Sequence, residues 1–414
     1  MRPASRIGVE LLIVLAVAAG PLVRSAHADP IYQVTDLGAI QAVGLNNAGQ
    51  VLGQVAPNTP YSGAPVTYMV YNSYGSNAGQ QSAVPLGDAN AINNNGIVAG
   101  QKAYTPTSPM GGPVLYDSNS PTGNPTALNT SLPSVPAYWG WNGPIAGMND
   151  SNQVVGNANM LAQPGSSYQS GNVNTGPFHA YLSSGGTVTD LGTLGGFTSA
   201  ATAINNAGQV VGTADLANGT SHAFLYSGGK MIDLGGVAGD SINTATAINA
   251  SGQVVGYSTD YHTASSFLYS NGKVTSLGGL GGSTWTEAMG INASGAIVGS
   301  SNGLAFVDKN GAMTDLNTLI PSSSDFQLHS AQFINDAGQI VAWGVDQRGV
   351  VNEYLLTPAG MPAPVAPVLT GSEVPEPTTL AFAALLGGLS CARWGYRQLG
   401  RIRSGAGPDA SAEN

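Results

Sequence analysis

The sequence predicts an all-β fold, a β-propeller of seven four-stranded blades. Three observations indicate it. A ten-residue pattern recurs seven times, and further short runs rich in Val, Ile, Phe and Tyr follow each recurrence. The chain contains 58 Gly, and its central part is rich in Asn, Ser and Thr with almost no surface pattern typical of helices.

The recurring pattern is centred on one Asn. It reads LNNAGQVLGQ from Leu45, AINNAGQVVG from Ala203 and FINDAGQIVA from Phe333. The repeated residues are Asn46, Asn93, Asn149, Asn205, Asn249, Asn292 and Asn335. Their spacings of 47, 56, 56, 44, 43 and 43 residues lie in the range of propeller blades and exclude short-period solenoids.

Each repeat unit predicts a four-stranded meander. Between residues 198 and 236 the runs SAATAINN, GQVVGTAD, HAFLYSGG and KMIDLGG follow one another, with Gly or Asn between them. The Asn-Ala-Gly tip fits a hairpin, because Asn and Gly tolerate the left-handed backbone of such turns. We therefore interpret the repeated Asn as structural rather than catalytic.

The two ends of the repeat array predict ring closure. The array begins with IYQVTDLG at 31–38, a fourth-strand phrase without its first three strands, and ends with NEYLLTP at 352–358, a third-strand phrase without its fourth. The N-terminal strand is expected to complete the last blade and so hide the sheet edges. Eight blades or a curved open array are the alternatives, since residues 61–80 and 104–136 are irregular.

The phrases AIN..GQVVG, HAF.Y and TDLG.LGG resemble the HAF family of bacterial extracellular repeats over most of residues 29–358. The phrases beginning at His179 and His222 keep the His, whereas later units lose it. That loss argues against a shared catalytic role for the two histidines. The resemblance brings no agreed chemistry.

The N-terminus has the pattern of a signal peptide. Arg2 and Arg6 precede an apolar core at residues 7–23, and Ala26 and Ala28 are small residues before Asp29. We expect signal peptidase to cleave after Ala28. A retained anchor helix is the alternative.

Near the C-terminus, Pro375, Glu376 and Pro377 precede about fifteen mostly apolar residues and an arginine cluster that includes Arg393 and Arg397. The apolar stretch is short for a membrane span, which needs roughly 20 residues, but flanking arginines can hold its cytoplasmic end. A plain tail anchor is one interpretation of this segment.

The order and spacing of these elements resemble the PEP-CTERM sorting family. The resemblance implies that exosortase, a membrane protease, reads the Pro-Glu-Pro motif while the apolar segment forms a transmembrane helix. It implies export in a Gram-negative bacterium, transient anchoring in the inner membrane, and a final place at the cell surface or outside the cell.

The domain organisation follows from these segments. We expect a signal peptide at 1–28, the propeller at 29–358, a Pro-rich linker at 359–373, the sorting signal at 374–403 and a short disordered tail at 404–414.

Charge and cysteine content exclude several classes of function. Residues 29–371 contain 17 acidic and 5 basic residues, a net charge of −12, so nucleic acid and anionic membrane surfaces are poor partners. The one cysteine, Cys391, lies in the terminal apolar segment. No disulfide framework, thiol metal site or cofactor is expected in the exported part.

Several catalytic motifs are absent from the sequence. It has no zinc motif, phosphate loop or regular calcium loop. His262, beside Asp260, is interpreted as an incidental loop residue. Asp residues recur in the TDLG phrase and are expected to accept hydrogen bonds from turns: Asp36, Asp190, Asp233 and Asp315. No catalytic residue is assigned.

Two function classes stay open. The first is a noncatalytic binding or structural module for exopolysaccharide, biofilm matrix or other envelope components. Trp139 and Trp141 would offer flat rings to sugars if they lie on a rim, whereas burial in the core is the alternative. The second class is a carbohydrate-active propeller enzyme, a glycosidase or lyase, with carboxylates around its channel. Convergence of two acidic residues from different blades at the channel mouth would favour the second.

Overall fold

The computed structural model describes residues 31–55, 67–74, 78–101, 113–120, 126–127, 142–159, 178–235, 237, 242–260 and 262–365. The predicted signal peptide and sorting signal lie outside these ranges. So do the predicted site residues Ala26, Ala28, Asp29, Trp139, Trp141, Pro375, Glu376, Pro377, Arg393 and Arg397. In the described part of the chain, no helix has the length and apolar character needed to cross a membrane.

The described residues form 28 β-strands and two short 3-10 helices. The strands before the third unit are β1 (Tyr32–Gly38), β2 (Ile40–Leu45), β3 (Gln50–Val55), β4 (Thr67–Asn72), β5 (Gln81–Val84), β6 (Asp88–Ile92), β7 (Ile97–Gln101), β8 (Pro113–Asp117) and β9 (Thr126–Ala127). The third and fourth units contain β10 (Asn142–Met148), β11 (Val154–Asn159), β12 (Phe178–Ser184), β13 (Thr187–Asp190), β14 (Gly195–Ile204), β15 (Val210–Leu216), β16 (Ser221–Ser227) and β17 (Lys230–Gly235).

The fifth and sixth units contain β18 (Ile242–Ile248), β19 (Val254–Thr259), β20 (Ala264–Ser270), β21 (Lys273–Ser276), β22 (Thr286–Ile291), β23 (Ile297–Ser301), β24 (Leu304–Lys309) and β25 (Ala312–Asp315). The seventh contains β26 (Phe326–Ile334), β27 (Ile340–Asp346) and β28 (Val351–Pro358). The 3-10 helices are Leu280–Gly282 and Leu316–Thr318. The predicted meander of strands is confirmed.

The strands form an all-β propeller arrangement with five separate four-stranded sheets and one eight-stranded sheet. The prediction of seven separate four-stranded blades therefore needs correction. The eight-stranded sheet contains the fourth and fifth units, β14 to β21, joined by one parallel pair between Ser221 and Ile242. This pair forms because β17 stops pairing with β16 at Ala223, which leaves the first residues of β16 free for β18.

The N-terminal strand completes the sheet of the seventh unit. Strand β1 pairs antiparallel with β28, from Tyr32 opposite Pro358 to Gly38 opposite Glu353, in a sheet of order β1-β28-β27-β26. The predicted closure by the first strand is confirmed. It covers an edge of β28 that would otherwise present unpaired backbone groups.

The core lies between neighbouring sheets, so the second strand of each unit is buried on both faces. In β19, Val254 and Val255 are both fully buried although their side chains point to opposite faces. Val254 packs in a cluster with Val211 of the preceding unit, whereas Val255 packs with Ile297 of the following one. The Val-Val pairs of the repeat are therefore inter-sheet contacts, and strict alternation of apolar and polar residues is not required.

A bulge in the first strand explains the glycine in the second strand of four units. The register of β18 against β19 shifts between Ala245 and Ala247. A Cβ at Gly256 would lie 2.0 Å from the backbone oxygen of Thr244. The same close approach occurs at Gly100, Gly212 and Gly299. Only glycine fits beside the bulged backbone.

Candidate functional site

The turn after each first strand is built around the repeated Asn. In the fourth unit, the Oδ1 atom of Asn205 accepts hydrogen bonds from the backbone N–H groups of Ala207 at 3.1 Å and Gln209 at 3.0 Å. Gly208 has a φ of +75°, a conformation that favours glycine. The Asn side chain thus holds its own turn, as the sequence interpretation requires.

The same Asn side chains join all seven units in a closed ring. Each Nδ2 donates to the backbone oxygen of the Asn in the next unit, at distances between 2.9 and 3.2 Å. The last of these bonds runs from Asn335 back to Asn46, 289 residues earlier, at 3.0 Å. All seven side chains are buried. We call this set the asparagine ring.

A glutamine takes the second amide hydrogen in five of the seven units. The Nδ2 of the ring Asn donates to the Oε1 of the residue four positions later, at 2.6 to 2.8 Å. These acceptors are Gln50, Gln153, Gln209, Gln253 and Gln339. In these five units Oδ1 and both amide hydrogens of the ring Asn are occupied, so the asparagine ring is a rigid scaffold and not a reactive group.

At the asparagine ring lies a cavity of about 270 Å³, lined by the turns of all seven units and by the apolar residues that precede six of the ring Asn. We call it the polar mouth. The residue after each ring Asn contributes to it or lies beside it: Asn47, Asn94, Asp150, Asn206, Ala250, Ala293 and Asp336. Five of these seven side chains are polar, and two of them are carboxylates.

The mouth residues form a second, interrupted ring of hydrogen bonds. The backbone N–H of a mouth residue donates to the side-chain oxygen of the mouth residue in the next unit, at 2.8 to 2.9 Å. Five such bonds form. Where the mouth residue of the next unit is Ala250 or Ala293, it has no side-chain oxygen. The N–H groups of Asn206 and Ala250 therefore have no acceptor among the described residues.

Two carboxylates from different units converge on the polar mouth, the arrangement that favours an enzyme. Both already have partners. Asp150 accepts from the amides of Asn94 at 2.9 Å and Asn206 at 2.7 Å, and Asp336 accepts from Asn47 at 2.7 Å. Burial alone would raise the pKa of Asp150, but the hydrogen bonds from Asn94 and Asn206 outweigh it and hold the pKa below its usual value. Asp150 is therefore an ionised acceptor and is poorly suited to donate a proton.

The Asp residues of the TDLG phrase accept hydrogen bonds from their own turns. The N–H of the residue two positions later donates to Asp36, Asp190, Asp233 and Asp315 at 2.7 to 2.8 Å. This prediction is confirmed. The backbone N–H of His262 donates to Asp260 at 2.9 Å, a contact within a turn.

Two His–Asp pairs were missed by sequence reasoning. The Nδ1 of His179 lies 3.0 Å from the carboxylate of Asp190, and the Nδ1 of His222 lies 2.9 Å from that of Asp233. The pairing of strands three and four brings these side chains together. The signal was present in the sequence, because the His phrase and the TDLG phrase occur together in these two units.

A second cavity, of about 300 Å³, lies against the closing sheet. Its wall contains Asp36, Asp325 and Asp346, with Arg348 paired to Asp346 at 2.7 Å. Burial raises the pKa of Asp36. For Asp346, hydrogen bonds from Val350 and Arg348 outweigh the effect of burial and lower the pKa. Among the described residues, no group of three or more His, Cys, Asp or Glu side chains has the arrangement of a metal site.

No family model and no curated protein matches this chain. Among solved structures, TolB from Acinetobacter baumannii is 12% identical, with a TM-score of 0.40 over 75% of this chain and 64% of that one. An acylaminoacyl peptidase from Pyrococcus horikoshii is 11% identical, with a TM-score of 0.47 over 78% of this chain and 52% of that one. A Trypanosoma rangeli sialidase in complex with the inhibitor DANA is 9% identical, with a TM-score of 0.35 over 79% and 55%.

The chain thus spans about half to two thirds of the length of these structures. Similarity at this level carries no conclusion about activity.

Proposed function

We propose that this protein is an exported, noncatalytic binding or structural module for exopolysaccharide, biofilm matrix or other envelope material. The observation that carries the proposal is the asparagine ring, which holds a polar mouth rigid while the carboxylates of that mouth are already hydrogen-bonded. Rigid, preorganised polar groups favour binding, because little conformational entropy is lost when a ligand docks.

In this proposal the seven repeat units act as seven blades. The eight-stranded sheet then counts as two blades, since a single bridge pair joins its halves. Seven inter-unit Asn contacts, one per unit, support this count.

Binding and catalysis can be separated on the full chain purified in a detergent without a sugar headgroup. We expect binding on a glycan array and no turnover of polysaccharides or chromogenic glycosides. Turnover that a single Asp or Glu substitution abolishes would overturn the noncatalytic proposal. If the protein shows neither binding nor turnover, a purely structural role remains.

A carbohydrate-active enzyme is the second candidate function. It is favoured by the convergence of Asp150 and Asp336 on the polar mouth and by the opposite pKa shifts of Asp36 and Asp346 in the second cavity. If turnover is found, Asp36→Asn and Asp336→Asn identify which cavity holds the acid and base.

Export and sorting complete the proposal. Signal peptidase would remove residues 1–28, and exosortase would read Pro375, Glu376 and Pro377 while Arg393 and Arg397 stay on the cytoplasmic side of the inner membrane. Two prolines hold the backbone extended, which suits a protease cleft.

In the native host, replacing Pro375 and Pro377 with Ala should leave an unprocessed protein in the membrane. Mass spectrometry of the mature C-terminus measures this. If the wild-type protein at the cell surface still carries residues 380–414, in a host that has the protease, the sorting proposal is wrong and the segment is a plain tail anchor.

A further inference from the structure

The interrupted ring at the polar mouth contains a gap of defined chemistry. In five units the mouth N–H donates to a side-chain oxygen of the next unit, but Ala250 and Ala293 follow each other in neighbouring units and have no such oxygen. The N–H groups of Asn206 and Ala250 are left as adjacent donors. We call this place the alanine notch.

The notch is rigid because the asparagine ring supports it. Asn205, directly before Asn206, donates to the backbone oxygen of Asn249, and Asn249 donates to that of Asn292, each at 3.0 Å. The two open N–H groups therefore keep the positions that their equivalents have in the other units. A ligand oxygen placed where the missing side-chain oxygen would be receives hydrogen bonds without reorganisation of the turns.

The surroundings of the notch select the charge of that ligand. Backbone N–H dipoles disfavour a cation. An anion would meet the ionised Asp150, which is hydrogen-bonded to Asn206, and Asp336, which is hydrogen-bonded to the N–H of Ala293. The net charge of −12 over residues 29–371 adds to that repulsion. A neutral oxygen remains, and a hydroxyl group suits best because its hydrogen can be donated to a nearby carboxylate.

We propose that the alanine notch binds two hydroxyl oxygens of a neutral sugar ring through the N–H groups of Asn206 and Ala250. The inference rests on the proposed binding function and names its site and ligand class. A cavity of about 270 Å³ is small for a ligand site, so the mouth accommodates one sugar ring, such as a chain end, rather than a long segment.

The test uses the full chain in a sugar-free detergent, labelled with ¹⁵N at Asn and Ala. The probes are the methyl α-glycosides of glucose, mannose and galactose, with sodium glucuronate as the anionic comparison. We expect the amide signals of Asn206 and Ala250 to shift saturably with at least one neutral glycoside. The protein should bind glucuronate at least tenfold more weakly than that glycoside.

Closing the notch provides the variant test. The double variant Ala250→Asn and Ala293→Asn adds the missing oxygens and should weaken glycoside binding at least tenfold while raising the melting temperature. The control, Ala48→Asn, adds the same amide to the equivalent exposed turn position of the first unit, outside the notch, where the second unit already has Asn95, and should leave binding unchanged.

Each other outcome overturns a stated part. Glycoside shifts at other amides, unaffected by the double variant, overturn the notch while the binding function stands. Equal or tighter binding of glucuronate overturns the neutral-ligand assignment. If none of the three glycosides shifts the two amides, the notch proposal fails, and the glycan array decides the binding function separately.

Discussion

The carboxylate of Glu353 accepts a hydrogen bond from the backbone N–H of Ala42 at 3.3 Å, across 311 residues of sequence. The bond joins β28 of the seventh unit to β2 of the first. The other oxygen of Glu353 has no partner among the described residues, and neither does the indole N–H of Trp343 on the adjacent strand. Complete burial raises the pKa of Glu353 to about 8.

The burial of Glu353, which outweighs the hydrogen bond from Ala42, predicts a stability that falls as pH rises. Because the pKa of Glu353 is about 4.5 when exposed and about 8 when buried, the folded state binds the proton more tightly. The contribution of Glu353 to the free energy of unfolding is fully present below pH 4.5. Up to roughly 5 kcal/mol of it is lost between pH 4.5 and 8. Glu353→Gln should therefore flatten the pH dependence of the free energy of unfolding, measured by urea denaturation.

Burial also raises the pKa values of Glu287 and Asp36, so these two residues likewise make stability fall as pH rises. The difference between wild type and Glu353→Gln isolates the one residue, and Glu287→Gln is the matched comparison. Identical pH profiles for wild type and Glu353→Gln would contradict the assignment.

The asparagine ring predicts a large effect from one small substitution. Asn205→Ala removes the acceptor of two backbone N–H groups and the donor to Gln209 and Asn249, so buried polar groups lose their partners. We expect a loss of about 3 kcal/mol. Asn206→Ala, at the neighbouring exposed position, should cost less than about 1 kcal/mol. Equal melting temperatures for the two variants would argue that the ring contributes little.

The close approach at the bulged strand predicts that Gly256→Ala is strongly destabilising. The new Cβ would lie 2.0 Å from the oxygen of Thr244 and 2.7 Å from the ring of Phe267, so the backbone must move. We expect a loss of about 3 kcal/mol in the free energy of unfolding. Gly147→Ala is the control, because its Cβ would meet nothing closer than 3.4 Å. A Gly256→Ala protein as stable as the control would be inconsistent with the bulge geometry.

The closing strand predicts that residues 31–38 are required for a stable fold. Their deletion from a fragment spanning residues 29–358 removes the buried side chains of Tyr32 and Leu37 and exposes the edge of β28. We expect a lower melting temperature and lower solubility. On the same strand, Leu37→Ala should cost about 2 to 4 kcal/mol and the exposed Gln33→Ala almost nothing. Equal behaviour of the two fragments would rule out closure by β1.

Local features of the sequence determined the strands, the turns and the closing strand. The Asn-Ala-Gly tips needed left-handed backbone, the TDLG aspartates needed turn donors, and residues 31–38 had no other partner than the strand at 352–358. Each of these requirements is met by residues close along the chain or by the one unpaired edge, so the pattern alone predicted them.

Only the tertiary structure decided how the units meet. The bridge between Ser221 and Ile242 and the burial of Glu353 against Ala42 depend on the positions of neighbouring sheets, which no local pattern encodes. The same holds for the alanine notch. Ala250 and Ala293 are ordinary turn residues in the sequence. They become a gap only because the packing of neighbouring units places each beside a backbone N–H of the preceding unit, where five other units supply an oxygen.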